Sequence, residues 1–248
     1  MAKIHKKQNP MQGKHDKYKR KGIIFMSIGI GCWVLWGLNV MIFHTFNPLF
    51  IAPVFFGFMG FGVLGGYFLN KAKIMSVGLE GKQQTLSFVS FLPDTYSVVT
   101  NPKITYQGKE SLLDTVVIGP NGVFIIQTKN HNGSISGRAT DNQLSQYKIG
   151  QKGTPYTNMF YNPVKQVSTH VFRLSKLLHE FGYNVWIQGI VYFSNPEAKV
   201  DVYSGDSQVP VFAASQGGEW SMSEYITNYK QKHTLSQTDV EKIANILM

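Results

Sequence analysis

Two uncharged stretches near the N-terminus constrain this chain more than any other feature of its sequence. No Asp, Glu, Lys or Arg occurs in residues 22–43 or in residues 47–70. Each stretch exceeds the roughly 20 residues that an α-helix needs to cross about 30 Å of hydrocarbon. Residues 22–70 are therefore expected to form a two-helix transmembrane hairpin, joined through His44-Thr45-Phe46-Asn47-Pro48. A cleaved signal peptide is the competing reading of the first stretch. Its length, the lack of a small-x-small site before His44 and the second stretch directly behind it argue for an uncleaved span.

The formal net charge of +10 is concentrated rather than spread. Residues 1–21 carry Lys3, Lys6, Lys7, Lys14, Lys17, Lys19, Arg20 and Lys21 against Asp16, a net of +7 that leaves +3 for everything else. Lys71 and Lys73 follow the second stretch, and the connection between the two has no Lys or Arg. The positive-inside rule then expects a multi-pass protein of the cell membrane with N- and C-termini cytoplasmic. Residues 1–21 read as a basic cytoplasmic tail touching anionic membrane lipid, at about 1 kcal/mol per basic residue; nucleic-acid contact is the sharper alternative. Cys32 is the sole cysteine and lies inside the first stretch, which excludes a disulfide framework and a cysteine zinc site and fits a reducing cytoplasm. Spans without charged residues offer no polar path, which sets aside a transporter or channel. Gly62 and Gly66 form a small-xxx-small pair expected to let the two helices pack closely.

After Lys73 the pattern is α/β, expected as one domain over residues 71–200 with a C-terminal strand and helices over 201–248. Residues 74–92 suggest a helix broken near its start by Gly78 and Gly81. Strands are expected at residues 96–99 and on to Ile104, and then at 111–118 and 123–129 around Gly119-Pro120-Asn121-Gly122, a hairpin signal. A short strand over 134–137 precedes a polar surface loop at 138–159. The clearest helix has Asn162 as N-cap, Pro163 at its first position, an apolar stripe from Val164 to Phe181 and Gly182 as its stop. Residues 185–193 suit a central strand and 209–213 another, and Ser236 with Asp239 forms a capping box for a last helix.

The 111–129 hairpin is apolar on both faces, as strands are when a sheet is covered on both sides. Charge there is expensive, yet Asp114 sits in its first arm and Gln127 and Lys129 end its second. Gln127 and Lys129 share a face. A two-residue turn at Pro120-Asn121 places Asp114 opposite Gln127, whereas a type I turn with a glycine bulge shifts the register and opposes Thr128. A carboxylate beside amide oxygens favours a hard cation such as Mg²⁺, and a nearby ammonium can orient water or stabilise a pentavalent phosphate.

These residues resemble the nuclease-related domain (NERD), a branch of the PD-(D/E)xK nuclease superfamily. The resemblance rests on Asp114-Thr115-Val116-Val117-Ile118-Gly119-Pro120-Asn121-Gly122-Val123-Phe124-Ile125-Ile126-Gln127-Thr128-Lys129, on Gly78-Leu79-Glu80-Gly81-Lys82 and on Asn162-Pro163-Val164-Lys165-Gln166. It implies a membrane-anchored α/β protein in which two transmembrane helices precede a mixed-sheet, restriction-endonuclease-like domain flanked by helices. It also implies dependence on Mg²⁺ or Mn²⁺ and a DNA or RNA substrate, with Asp114, Gln127 and Lys129 as catalytic residues and Gln166 and Lys82 at the substrate. The chain departs from the family pattern twice: Gln127 stands for the second acidic ligand, and Lys82 for the glutamate of the first helix. With Asp114 and Gln127 at the metal, Glu80 is the residue that could replace the lost charge.

Two functions stay open on the sequence. One is a membrane-tethered, divalent-metal-dependent nuclease acting in the cytoplasm; the other is a catalytically inactive nuclease-fold module that binds nucleic acid or a protein partner at the membrane, with Lys82 in the cation's place. Asp114 is either a metal ligand or one half of an ion pair with Lys129. Gln166, His170 and Arg173 fall on one helical stripe that faces either a phosphate backbone or solvent. Tyr147, Tyr156, Phe160 and Tyr161 either stack on unpaired bases or pack in their loop. His131 and His179 show no metal-ligand spacing.

Overall fold

Helices that are apolar all round are either deep in a protein core or facing lipid. In a computed structural model of the chain, which describes residues 1–43, 48–150, 153–205, 207–231 and 234–248, two such helices occur. They are α1 (Pro10–Phe43) and α2 (Pro48–Val89); the connection at residues 44–47 lies outside the described residues. Both are long and apolar enough to cross a membrane, with mean hydropathy of 1.9 and 1.6 over their best windows, and only 6% of either window is buried. Leu35, Phe56 and Val63 are among the large side chains left exposed. A soluble core helix would hide them.

The chain divides into two units, Asn9–Leu79 and the combination of Met1–Gln8 with Glu80–Met248. In the first, α1 and α2 pack through Phe25 against Phe61 and Phe68, and Trp33 against Phe58. The close approach is made by Gly65, where an added Cβ would lie 2.6 Å from Met26, and by Gly22, where it would lie 2.7 Å from Leu69. Gly62 and Gly66 have open space around them. The expected small-xxx-small pair is thus off the interface, which Gly65 and Gly22 make instead.

The second unit is built on a mixed six-stranded sheet in the order β1-β2-β5-β6-β10-β12. Its members are β1 (Lys3–Lys6), β2 (Ser97–Thr100), β5 (Thr115–Gly119), β6 (Gly122–Lys129), β10 (Ile187–Phe193) and β12 (Val211–Ala213). Every residue of β2, β5 and β10 is buried, as expected of strands covered on both faces. One face carries Val116, Ile118, Val123 and Ile125 against Val167 and Leu174 of α3 (Pro163–Glu180) and Val240 and Ile243 of α5 (Gln237–Ile246). The other carries Val117, Phe124, Ile126 and Tyr192 against Val89 at the end of α2 and Met222 and Ile226 of α4 (Gly218–Asn228).

Several sequence expectations are corrected here. Residues 1–21 are not only a tail: Lys3–Lys6 forms an edge strand parallel to β2. The helix expected over 74–92 is the continuation of α2 and runs unbroken through Gly78 and Gly81. The helical cost of each glycine, about 1 kcal/mol, is offset by packing along the buried Gly81, Thr85 and Val89. A Cβ at Gly81 would lie 2.5 Å from Ser194 Oγ and 2.8 Å from Asn130 Cβ, so only glycine lets α2 come this near the end of β10. The stretch expected as one strand from 111 is split into β4 (Lys109–Leu112), which pairs with β3 (Lys103–Tyr106), and β5. Asp114 sits in the break.

The loop expected over 138–159 is instead two strands, β8 (Gln143–Ile149) and β9 (Pro155–Tyr161). With β7 (Ser134–Arg138) and β11 (Lys199–Tyr203) they form a second sheet, ordered β11-β7-β8-β9. Its inner face carries Ile135, Leu144 and Phe160 into the core. Few inward positions are apolar, so the period of two was hidden in a polar sequence.

Candidate functional site

The geometry of the site begins with the β5–β6 turn. Gly119 pairs with Gly122 and Thr115 with Ile126, which fixes a two-residue turn at Pro120-Asn121 and brings Asp114 opposite Gln127. The turn is pinned from outside: Tyr96 Oη donates to Asn121 Oδ1 at 2.6 Å, Asn121 Nδ2 donates to the Ile226 and Thr227 carbonyls, and Leu235 N donates to the Pro120 carbonyl at 2.8 Å. The bulged register is therefore excluded.

Asp114 is the hub of a buried polar group. Its Oδ2 accepts from Gln127 Nε2 and, at 3.2 Å, from the Thr128 backbone N–H. Its Oδ1 lies 2.7 Å from Lys82 Nζ. Lys82 is carried by α2 one residue past the Gly81 contact, and its Nζ also donates to Asn101 Oδ1 at 3.3 Å. Asn101 holds a left-handed backbone, φ 50°, which Asn tolerates better than most residues. Its N–H donates to the Asp114 carbonyl at 2.9 Å, so one residue positions both partners of the ion pair.

Lys129 is turned to α3 rather than to Asp114, with its Nζ donating to Gln166 Oε1 at 3.0 Å. Burial pulls the Lys129 pKa below the usual lysine value; the Asp114 charge opposes this and the Lys82 charge adds to it. His170, one turn beyond Gln166, is buried with Nδ1 lacking a partner. Burial lowers its pKa also, against Asp114 and with Arg173 and Lys129, so the imidazole is neutral at neutral pH. Arg173 donates from Nη1 to the Glu110 carbonyl at 3.1 Å and to Ser111 Oγ. The Gln166, His170 and Arg173 stripe therefore faces protein, not solvent.

Asp114, Gln127, Lys82, Lys129 and Gln166 are thus brought together, and Glu80 is not. Glu80 is exposed, and two helical positions place it about 200° round from Lys82. Among the described residues, no group of three or more His, Cys, Asp or Glu side chains is arranged to hold a metal ion. Both carboxylate oxygens of Asp114 are engaged, one by an ammonium, while Gln127 Oε1 is buried without a partner. Asn101 and the Thr128 N–H were not found from sequence. Asn101-Pro102 is a turn-prone pair, but nothing local tied it to Asp114.

A mixed sheet covered by helices on both faces, with an aspartate, a strand, a turn, a strand and a lysine converging at one end, defines a nuclease-like α/β domain preceded by two long apolar helices. Residues 77–194 match the family model of the nuclease-related domain, NERD, so this part of the chain is a nuclease-related domain. No curated protein and no solved structure was found to match it. The match begins in the last turns of α2 and ends after β10, so β1, β11, β12, α4 and α5 lie outside it.

Proposed function

We propose that this protein is a membrane-anchored nuclease-fold module that holds the phosphate backbone of DNA or RNA at the cytoplasmic face without metal-dependent cleavage. The observation that carries the reading is the 2.7 Å contact between Lys82 Nζ and Asp114 Oδ1. A hard divalent cation is held by several anionic oxygens; here a single carboxylate is already neutralised by an ammonium built into the chain. The donor set as arranged does not fit Mg²⁺ or Mn²⁺. A phosphate fits better, because Lys82 and Lys129 supply two cations and Gln166 an amide N–H. Lys129 is short of solvent, and a phosphate oxygen is a stronger partner for it than the neutral Gln166 amide.

The anchoring half of the proposal rests on connectivity and charge. The chain leaves the α/β unit at Gln8 and returns to it at Glu80, so two spans between them put both connections on one side. Lys14, Lys17, Lys19, Arg20, Lys21, Lys71 and Lys73 flank the apolar runs on that side, which is the cytoplasmic side by the positive-inside rule.

A metal-dependent nuclease is the second reading, favoured by the unpartnered Gln127 Oε1 beside Asp114. In that reading Asp114 and Gln127 would hold the ion, Glu80 would have to move to join them, and the ion would supply charge neutralisation at the scissile phosphate. The full chain in detergent micelles, with labelled DNA and RNA in EDTA or in Mg²⁺ or Mn²⁺, separates the two. The expected result is binding in EDTA that falls with salt, weakens in Lys129→Ala and is accompanied by no cutting. Cutting that needs metal and disappears in Asp114→Ala and Lys129→Ala would establish the second reading. Absence of binding to any nucleic acid would sink the first. Lys82→Glu combined with Gln127→Glu is expected to create Mg²⁺ binding detectable by calorimetry.

A further inference from the structure

The second sheet has one face in the core and one uncovered. Outward on β8 and β9 are Tyr147, Met159 and Tyr161, exposed by 47%, 56% and 54%, and outward on the edge strand β11 is Tyr203, exposed by 69%. Pairing places them on the same side. Gln143 faces Tyr161, Ser145 faces Met159 and Tyr147 faces Thr157 across β8–β9. Ser134 faces Tyr147 across β7–β8, and Lys199, Asp201 and Tyr203 face Ser134, Ser136 and Arg138 across β11–β7. Phe160 and Tyr156 alternate to the other face, where Phe160 stacks on His131 with centroids 4.3 Å apart.

The geometry points to this face as a platform for the unpaired bases of single-stranded nucleic acid. This deepens the proposed function and rests on its nucleic-acid reading. Tyr147 and Tyr161 are four register positions apart, about 13 Å at roughly 3.4 Å per residue. That is too far for the rings to stack on each other, so each offers an open π-face. Around them lie the hydroxyls of Ser134, Ser136, Ser145 and Thr157, the cations Arg138 and Lys199, the Asp201 carboxylate and the exposed apolar side chains of Ile149 and Met159. Bases need rings for stacking, polar groups for their edges and cations for the connecting phosphates, and stacking is tolerant of base identity. An open four-stranded sheet with projecting aromatics is a known way to hold single strands.

Two further features fit the same occupant. Beside the face, Ser134, Ser136, Lys199 and Asp201, with the apolar Ala198 and Val200, line a cleft of about 410 Å³, large enough for a base. The platform is also linked along the chain to the phosphate site. Tyr161 ends β9, Asn162 caps α3 by accepting from Val164 N at 3.0 Å, and Gln166, one turn on, holds Lys129.

The test uses the full chain in detergent micelles and fluorescein-labelled oligo(dT), oligo(dA) and a hairpin duplex, read by anisotropy. Tyr147→Ala, Tyr161→Ala and Tyr203→Ala are each expected to weaken single-strand binding about ten-fold, in the range found for base-stacking aromatics. The corresponding Phe variants should bind as wild type, and duplex binding should be unaffected. Single-strand binding unchanged in the Ala variants but lost in Lys129→Ala would overturn the platform and leave the phosphate site standing. Loss of a dimer in the Ala variants with binding intact would assign the face to a second copy of the chain and overturn the proposal equally. If wild type binds neither single strands nor duplex, the underlying function fails as well.

Discussion

The β5–β6 and β8–β9 hairpins are the same motif put to opposite uses. Each is an antiparallel pair, but β5 and nearly all of β6 are buried on both faces, whereas β8 is buried at two residues and β9 at none. In the first hairpin a polar side chain has to find a protein partner, so Asp114, Gln127 and Lys129 draw in Lys82, Thr128, Asn101 and Gln166. In the second, polar and aromatic side chains answer to water and remain free for a ligand. Burial makes a rigid, expensive site; exposure makes an adaptable one.

The comparison is broken most severely at the ion pair. Lys82→Ala leaves the Asp114 carboxylate buried at 10% side-chain exposure without its cation, and the expected destabilisation is about 3–5 kcal/mol. Adding Asp114→Asn should recover much of it, since the uncompensated charge is removed. Urea unfolding of the full chain in detergent, followed by tryptophan fluorescence, measures both; two losses that simply add would show the pair is not coupled.

Next in size is a truncation placed in each hairpin. Ile126→Ala, in a position with no exposure, is expected to cost about 2–5 kcal/mol. Ile149→Ala, 71% exposed, should stay within about 0.5 kcal/mol. The same unfolding curves report both, and a comparable cost at the two positions would mean that the outer face is covered in the protein as purified.

The smallest effect sharpens the boundary between the two hairpins. His131 follows Lys129 and stacks on Phe160 of β9, and burial, with the Lys129 charge, lowers its pKa from 6.5 to about 4. A histidine with a depressed folded pKa stays neutral while the unfolded chain takes up a proton, so stability falls as pH drops from about 6.5 through about 4. His131→Phe keeps the ring contact and removes the titration. Its unfolding midpoint should decline less than that of wild type across this window, and parallel declines would remove His131 from the account.

The parts of the site that were legible in sequence are those set by local rules. Pro120-Asn121 between glycines announced the hairpin, and the alternation of strand faces put Gln127 and Lys129 on one side. Asn162-Pro163 announced the start of α3, and with it the position of Gln166. What local rules suggested wrongly was equally physical. Glu80 appeared as a replacement ligand because it is near Lys82 in the chain, yet a helix sends residues two apart to different sides. The outer hairpin was missed because its inward face relies on Leu144 and Phe160 with Gln146 between them, a pattern too polar to read without its partner strands.

The sequence by itself determined the two long apolar helices, the buried β5–β6 hairpin, the capped α3 and the last helix, because chain-length hydropathy, turn residues and caps act within a few residues. Tertiary structure alone decided that Lys3–Lys6 closes the sheet beside β2, that Lys82 rather than Glu80 faces Asp114 and that Tyr147, Tyr161 and Tyr203 share one open face. Contacts such as Lys7 N to Thr100 Oγ1, 93 residues apart, exist only because separate elements bury apolar surface together, and no short stretch of sequence carries that information.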